Sequence, residues 1–350
     1  MGEERGMTAE ESSQKQYNQE ASSQWQNATA GAVAGFATVA AMHPLDVVRT
    51  RFQVNDGRVT GLPTYRNTGH AVLTIARMEG IRGLYAGFSP AVLGSTVAWG
   101  LYFFFYSRAK QRYSKGNNQS LSPLLHLASA AEAGGLVSLC TNPIWLVKTR
   151  FQLQAHHQSS RPYSGLYDAF KTIMREEGWK ALYKGLGPGL ILQVSHGAIQ
   201  FTVYEELRKL LLHHRSNGTK GHHDNADSNL LNTVDYAVLG GSSKLSAILL
   251  THPFQVVRAR MQQRPGADGT PRYLDSWHVV KESFRDSDFS PDHYLIQIFH
   301  SAHVGNHRYE GFRAFYKGIT PTILKSVPTS SITFLVYENV LKLLKLASRD

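Results

Sequence analysis

The chain contains little of what most catalytic or secreted proteins need. Its 350 residues include a single cysteine, Cys140, which excludes an intramolecular disulfide framework and leaves no cysteine set for zinc. Because this cysteine lies in an apolar run, we expect its thiol to be buried. No nucleophilic triad, Walker loop or dinucleotide fingerprint stands in a suitable context. The sequence therefore predicts no enzyme, no cofactor and no metal site.

Long aliphatic runs are also missing, and the mean hydropathy of −0.27 is low for a membrane protein. Six segments nevertheless approach or exceed the length that spans a bilayer. They are rich in small residues, which permit close helix contact in lipid. We therefore expect multiple spans and contact with a lipid bilayer. The six segments are 25–54, 88–110, 124–153, 188–210, 232–261 and 319–346.

The charge of the chain favours an anionic partner, since the formal net charge is +11. Nucleic acid, a lipid surface or a small anionic solute would each fit this charge. The basic residues recur at matched points instead of forming an arm or one recognition helix, which argues against nucleic acid and fits a symmetric pore better. Residues 1–24 are polar and partly acidic, unlike a secretory signal or an Arg-rich transit peptide. They predict a disordered tail.

One stretch of eight residues, which we call the Pro motif, occurs three times. Each copy is followed by an acid–glycine pair and then by a tyrosine–x–glycine element, an order that indicates tandem repeats. The copies are Pro44–Arg51, Pro143–Arg150 and Pro253–Arg260. We place the repeats at 25–113, 124–212 and 232–346, with a polar linker at 213–231. The third repeat carries an insertion near 286–307, which is either a functional loop or a segment without a transport role.

The second and fifth residues after each motif proline share a helix face, because they are three positions apart. A proline bends a spanning helix and can bring three such ends together. Ion pairs between neighbouring helices could then close one mouth of a pore; the alternative is a set of snorkelling bases at the membrane edge. The residues concerned are Asp46 and Arg49, Trp145 and Lys148, and Gln255 and Arg258.

These elements resemble the mitochondrial carrier family, whose motif is Pro-x-acid-x-x-base-x-base followed by acid–Gly and aromatic–base–Gly. The resemblance covers residues 25–346 and implies an all-α membrane protein. It further implies six transmembrane helices in three tandem two-helix repeats with threefold pseudosymmetry, short surface helices, and alternating access to a central site. Trp145 and Gln255 depart from the family's acid, so that a matrix gate of Asp46, Arg49, Lys148, Gln255 and Arg258 should be weakly paired and leave net positive charge.

The family's second network, on the even-numbered spans, implies a cytoplasmic gate at the opposite end. Here it consists of Lys110, Glu205, Arg208 and Glu338. Glu205 could pair with Lys110, and Glu338 with Arg208, whereas the third bridge is lost. Exposed ion pairs are individually weak, so such a gate can open without a large barrier.

The resemblance also implies solute contacts on the even-numbered spans, at Gly94, Ser95, Leu192, Gln193, Lys325 and Ser326. Lys325 suits a carboxylate or phosphate, and Gly94 makes room for a bulky ring. Trp99, Glu132 and Lys244 either line the cavity or serve packing. His196 is expected to pack or to form a hydrogen bond.

Trp145, within Pro-Ile-Trp, resembles the subgroup that carries folate, flavin and nicotinamide dinucleotides and pyrimidine nucleotides. The run from Gln193 to Phe201 and the aromatic run from Trp99 to Tyr106 look like its folate/FAD branch. We therefore predict a monomeric folate carrier of an organelle inner membrane, mitochondrial or, in a plant, of the chloroplast envelope. The alternatives are a carrier of FAD, NAD or pyrimidine nucleotides, and a transport-inactive membrane interaction protein.

Overall fold

The protein is described by a computed structural model that covers residues 3–55, 63, 65–114, 123–154, 163–218, 232–266, 271–285 and 311–347. These residues are helical or irregular, and none of them lies in a β-strand. The insertion predicted near 286–307 and most of the linker 213–231 lie outside them.

Six long helices account for most of the described chain. Each exceeds the roughly 20 residues that an α-helix needs to cross a bilayer. They are α1 (Glu3–Val54), α3 (Phe88–Ser114), α4 (Pro123–Leu153), α6 (Leu186–Gly218), α7 (Thr233–Met261) and α9 (Ile319–Ala347). Three of them, α1, α4 and α7, continue through the motif prolines Pro44, Pro143 and Pro253.

Shorter helices follow the Pro motifs. They are α2 (Thr68–Leu84), α5 (Leu166–Glu176) and α8 (Ser276–Arg285), with two 3-10 helices at Trp179–Tyr183 and Gly311–Tyr316. Asn67 caps α2 by accepting a hydrogen bond from the backbone N–H of His70 (2.7 Å). Gly80, at φ 71°, interrupts the helical geometry inside α2.

Each Pro motif packs on the short helix of its own repeat. The third and fourth residues after the proline are apolar and buried in all three motifs. They are Val47 and Val48, Leu146 and Val147, and Val256 and Val257. Val47 and Val48 lie in one core cluster with Ile75 of α2, Leu146 and Val147 in another with Ile173 of α5, and Val257 in a third with Val279 of α8. The motif thus places one face in a core and keeps the other for polar contacts.

The chain forms two compact units, which we describe separately. One comprises Met1–His43 and Leu324–Asp350, and the other Pro44–Ile323. In the first, α1 meets α9 through the hydroxyl groups of Thr38 and Thr333 (2.9 Å). In the second, α3 packs along α4 and α6 packs along α7.

Two helical stretches in the described residues are long and apolar enough, by length and composition, to cross a membrane: Trp25–Val54 and Phe88–Ser114. Polar and charged side chains interrupt the other long helices, such as Glu132 on α4 and Lys244 on α7. The six spans therefore remain a prediction, although the chain offers six helices of sufficient length.

Three expectations differ from the structure. Cys140 is exposed, not buried, because an apolar run buries only the helix face that packs against a neighbour. The tail expected to be disordered over residues 1–24 is helical from Glu3, since Glu, Gln, Ala and Lys are all good helix formers. The linker expected from residue 213 begins as helix, because α6 continues to Gly218.

Candidate functional site

The ends of α1, α4 and α7 are joined in a cycle by three arginines. Each is the last residue of a Pro motif, and its Nε donates to a backbone carbonyl near the end of the next helix, where carbonyl groups lack helical partners. Arg51 donates to Gln152 (3.0 Å), Arg150 to Gln262 (3.4 Å) and Arg260 to Gln53 (3.2 Å). A cation at the negative end of a helix dipole is favourable. We call this arrangement the arginine cycle.

Two of these arginines also hold the acid–glycine pair of their own repeat. Arg51 binds Glu79 through both terminal nitrogens, with Nη2 at 2.8 Å from Oε2, and Arg150 binds Glu177 in the same way, at 2.9 Å. Burial alone raises the pKa of Glu177, but the hydrogen bonds and charges of Arg150 and Lys184 outweigh it and hold the pKa below its ordinary value. These forked pairs fix the short helices to the motif ends.

The gate face of the Pro motifs forms two of the three contacts that the repeat allows. Lys148 pairs with Asp46 of the preceding repeat. Arg49 donates to the side-chain oxygen of Gln255, so an amide takes the place of the acid there. Trp145 has no acceptor to offer Arg258, which has no hydrogen-bond or ion-pair partner among the described residues. One of the three contacts of the gate face is therefore vacant among the described residues.

A glutamine beside each gate contact was missed by the sequence analysis. Gln152 donates to Asp46 (3.2 Å) and accepts from Thr50 (2.7 Å), which braces the Asp46–Lys148 pair. Gln262 likewise accepts from Thr149 (2.9 Å). The signal was present, since glutamine occupies the ninth position after the proline in all three repeats, at Gln53, Gln152 and Gln262.

These contacts line a cavity of about 360 Å³ in the Pro44–Ile323 unit. Its volume is within the range of small-molecule sites. Three basic side chains and one carboxylate line it, together with Trp145 and several hydroxyl and amide groups. The predicted site residues that it brings together are Asp46, Arg49, Trp145, Lys148, Leu192, Gln193, Gln255 and Arg258.

Polar groups of α4 and α6 meet on the wall of the cavity. Gln193 accepts a hydrogen bond from Ser138 (2.9 Å), and the missing side chain of Gly134 leaves room for the Gln193 amide. Gly94 and Ser95 do not line the cavity. Gly94 is buried against Ile144 and the indole of Trp145, so this conformation fills the room expected for a solute ring with the protein's own ring.

The residues suggested as cavity lining lie elsewhere. Glu132 pairs with Arg112 (2.8 Å) and accepts from Tyr113 (3.1 Å), which joins α4 to the end of α3. His196 forms a hydrogen bond with Thr251 (3.2 Å), which joins α6 to α7, and Lys244 lies on α7. Trp99 is largely exposed.

The residues of the predicted cytoplasmic gate that lie in the Pro44–Ile323 unit do not pair between helices. Glu205 lies 3.9 Å from Arg208 of its own helix, and Lys110 forms no ion pair with a described residue. Glu338, Lys325 and Ser326 belong to the other unit, on α9. Contacts between repeats are therefore seen, among the described residues, for the gate at the Pro-motif end and not for the predicted cytoplasmic gate.

Long helices whose repeated motif ends line a charged cavity define the class, that of helical solute carriers. A family model described as "Mitochondrial carrier protein" matches three segments of the chain, residues 20–117, 119–215 and 229–348. The chain belongs to the mitochondrial carrier family. The resemblance read from the Pro motifs is thereby confirmed.

Several characterised carriers are similar to the chain over most of their length. "Folate transporter 1, chloroplastic" of Arabidopsis thaliana is 65% identical over 326 residues, which cover 93% of this chain and 97% of that protein. "Nicotinamide adenine dinucleotide transporter 1, chloroplastic" of the same plant is 35% identical over 90% of each chain. A mitochondrial FAD carrier protein of Saccharomyces cerevisiae is 28% identical, covering 89% of this chain and 94% of its own.

Proposed function

We propose that this protein carries folate across an organelle inner membrane. The observation that carries the proposal is the 65% identity, over nearly the whole of both chains, to a chloroplastic folate transporter. Other relatives are named as transporters of NAD and FAD, which are also anions with flat heteroaromatic rings. The membrane is that of the chloroplast envelope or the mitochondrion, and the reaction involves no covalent chemistry.

The architecture that accompanies this function is a monomer with six spanning helices in three repeats, at 25–113, 124–212 and 232–346, related by threefold pseudosymmetry. The six long helices, the three family matches and the arginine cycle support it. The short helices α2, α5 and α8 lie on the membrane surface, because they expose large apolar side chains such as Ile81, Tyr167 and Trp277 beside a polar face.

Transport proceeds by alternating access between two gates. The Asp46–Lys148 pair and the Arg49–Gln255 contact are formed in this conformation, whereas Lys110 is unpaired within the described residues. Such a state corresponds to a gate that is closed at the Pro-motif end. Leu192 and Gln193 line the cavity and are the solute contacts that we propose there. Lys325, on α9, is a separate proposed contact, because an ammonium suits a carboxylate.

Purified full-length protein in liposomes, offered labelled folate, FAD, NAD and pyrimidine nucleotides, tests the proposal. We expect folate to be taken up fastest. Preferential uptake of FAD, NAD or a pyrimidine nucleotide would favour the alternative carrier function, and no uptake of any of them would favour a membrane interaction protein. Lys325→Ala should lower folate uptake, and unchanged uptake would remove Lys325 from the binding site.

A further inference from the structure

The gate face leaves one place in which a negative charge is missing. In the equivalent contact between the first two repeats, the carboxylate of Asp46 receives both the Lys148 ammonium and the Gln152 amide (3.2 Å). Trp145 occupies the position that corresponds to Asp46 in the second repeat. An indole has no acceptor atom, so the donors that converge on a carboxylate in the first contact have nothing to bind in the second.

Those donors are present and unused. Arg258, which corresponds to Lys148, has no hydrogen-bond or ion-pair partner among the described residues. Gln262, which corresponds to Gln152, is 3% exposed, and its Nε2 has no hydrogen-bond partner there, although its Oε1 is held by Thr149 (2.9 Å). Both side chains line the 360 Å³ cavity.

The surroundings keep the Arg258 guanidinium in place. A side chain at Gly189 would meet its Nε, Cζ and Nη1 atoms at 3.2 to 3.3 Å, so the absence of one leaves the space that the guanidinium occupies. A cation and a buried N–H without partners are costly in a protein interior. This cost is removed when an anion binds between the two donors. A guanidinium group together with an amide N–H suits a carboxylate.

We propose that Arg258 and the Gln262 amide bind a carboxylate of the solute, in the place that an acidic residue occupies in the first repeat contact. This inference rests on the proposed function and deepens it, because it assigns an orientation. The acid end of the solute lies at the Pro-motif end of the cavity, against Trp145, and its ring lies toward Gln193 and Ser138. The solute carboxylate thus takes the place of the acidic side chain that Trp145 replaces.

The test is competition against labelled folate uptake in liposomes containing the full-length protein. Two competitors differ only in charge: unlabelled folate, and the folate diamide, in which both glutamate carboxylates are amides. Wild-type protein should prefer folate to the diamide by more than about tenfold, as expected when a charged hydrogen bond is lost. Arg258→Gln should reduce that preference about tenfold, and Arg258→Lys, which keeps the charge but not the fork, should reduce it less.

Arg175→Gln is the matched control, because it removes the same charge from an exposed position on α5, outside the cavity. It should keep the wild-type preference. The ratio between two competitors does not depend on how much variant protein is active, so a partial folding defect does not imitate the result.

Each outcome decides between the two proposals. If wild-type protein transports folate and Arg258→Gln keeps the full preference for folate over its diamide, the assignment of Arg258 is wrong and the folate carrier stands. If wild-type protein transports no folate, both proposals fail. If Arg258→Gln abolishes uptake altogether, the preference for folate over its diamide is measured in Arg258→Lys and in Gln262→Leu instead. An unchanged preference in both variants would show that the proposed carboxylate site is wrong.

Discussion

The ammonium of Lys148 lies 5.2 Å from the centroid of the Trp145 indole ring, one helical turn away, while it pairs with Asp46 on the neighbouring helix. The tryptophan therefore does more than remove an acid from the gate. Its ring supports the one ion pair that the gate retains, and a cation–π contact of this kind contributes about 0.5 to 2 kcal/mol.

Restoring the acid should tighten the gate. In Trp145→Asp, the new carboxylate can accept from Arg258 and Gln262, gaining about 1.5 to 3 kcal/mol per charged hydrogen bond, which exceeds the lost cation–π contact. We expect a higher unfolding temperature and slower folate uptake. Trp179→Asp is the control, since Trp179 is an exposed tryptophan beside Lys180 and outside the cavity. A lower unfolding temperature for Trp145→Asp than for this control would contradict the prediction.

Removing the one acid of the gate should destabilise the protein. Asp46→Asn leaves Lys148 without its charged partner in a place where both side chains are largely enclosed, and breaking such a pair costs about 3 kcal/mol. Thermal unfolding of the purified protein measures the loss. Glu206→Gln, which breaks the exposed Glu206–Lys209 pair, should change stability by less than about 1 kcal/mol. Lys148→Gln added to Asp46→Asn should recover part of the loss; a strictly additive double variant would mean that the two side chains do not interact.

The tyrosine–x–glycine turn should not tolerate a side chain. Gly87 has φ 76°, and a Cβ there would lie 2.9 Å from the carbonyl oxygen of Lys148. Gly87→Ala should therefore cost at least about 1 to 2 kcal/mol from backbone strain alone. Gly100→Ala, within α3 and with open space around it, should be neutral or stabilising by up to about 1 kcal/mol. Equal unfolding temperatures for the two variants would refute the assignment of strain.

Acid should weaken the clamp between the second Pro motif and its short helix. The pKa of Glu177 is held below its ordinary value by Arg150 and Lys184, which outweigh the effect of burial. A carboxylate with a lowered pKa stabilises the folded protein fully above its unfolded pKa of about 4.3, and this contribution is lost as the pH falls through the folded pKa. Glu177→Gln should therefore show a flatter fall of unfolding temperature below pH 5 than wild-type protein.

Glu176→Gln is the matched control for that measurement. Glu176 is the neighbouring residue, is exposed, and pairs with Arg264 at 3.3 Å. This variant should keep the wild-type pH dependence. A wild-type slope in Glu177→Gln, or the same flattening in both variants, would show that the clamp does not set the acid sensitivity.

The sequence alone predicted the repeats and the helix ends near the Pro motifs, because these depend on local spacing. Neighbours between repeats were harder to predict. Nothing in the motif spacing says that Gly94 and Trp145, from different repeats, fill each other's space. Glu132 was taken for a possible cavity residue because a buried acid is costly, yet a partner on the adjacent helix, Arg112, removes that cost.

Bonds from side chain to backbone were equally invisible. The arginines that end the Pro motifs donate to backbone carbonyl groups, and these acceptors carry no sequence signature. The repeated glutamines could have been found, since they recur at a fixed distance from each proline. The role of each glutamine could not be predicted, because it depends on whether the neighbouring repeat offers an acceptor.

The arginine cycle bears on how the Pro-motif end comes apart. Three bonds that run from the first helix to the second, to the third and back to the first have no terminal member from which separation could begin. Breaking one leaves its two helices still linked through the third, so the loss of a single bond gains little freedom. Opening at this end is therefore expected to be concerted, with the three helix ends moving together, and a solute that engages one contact would act on all three.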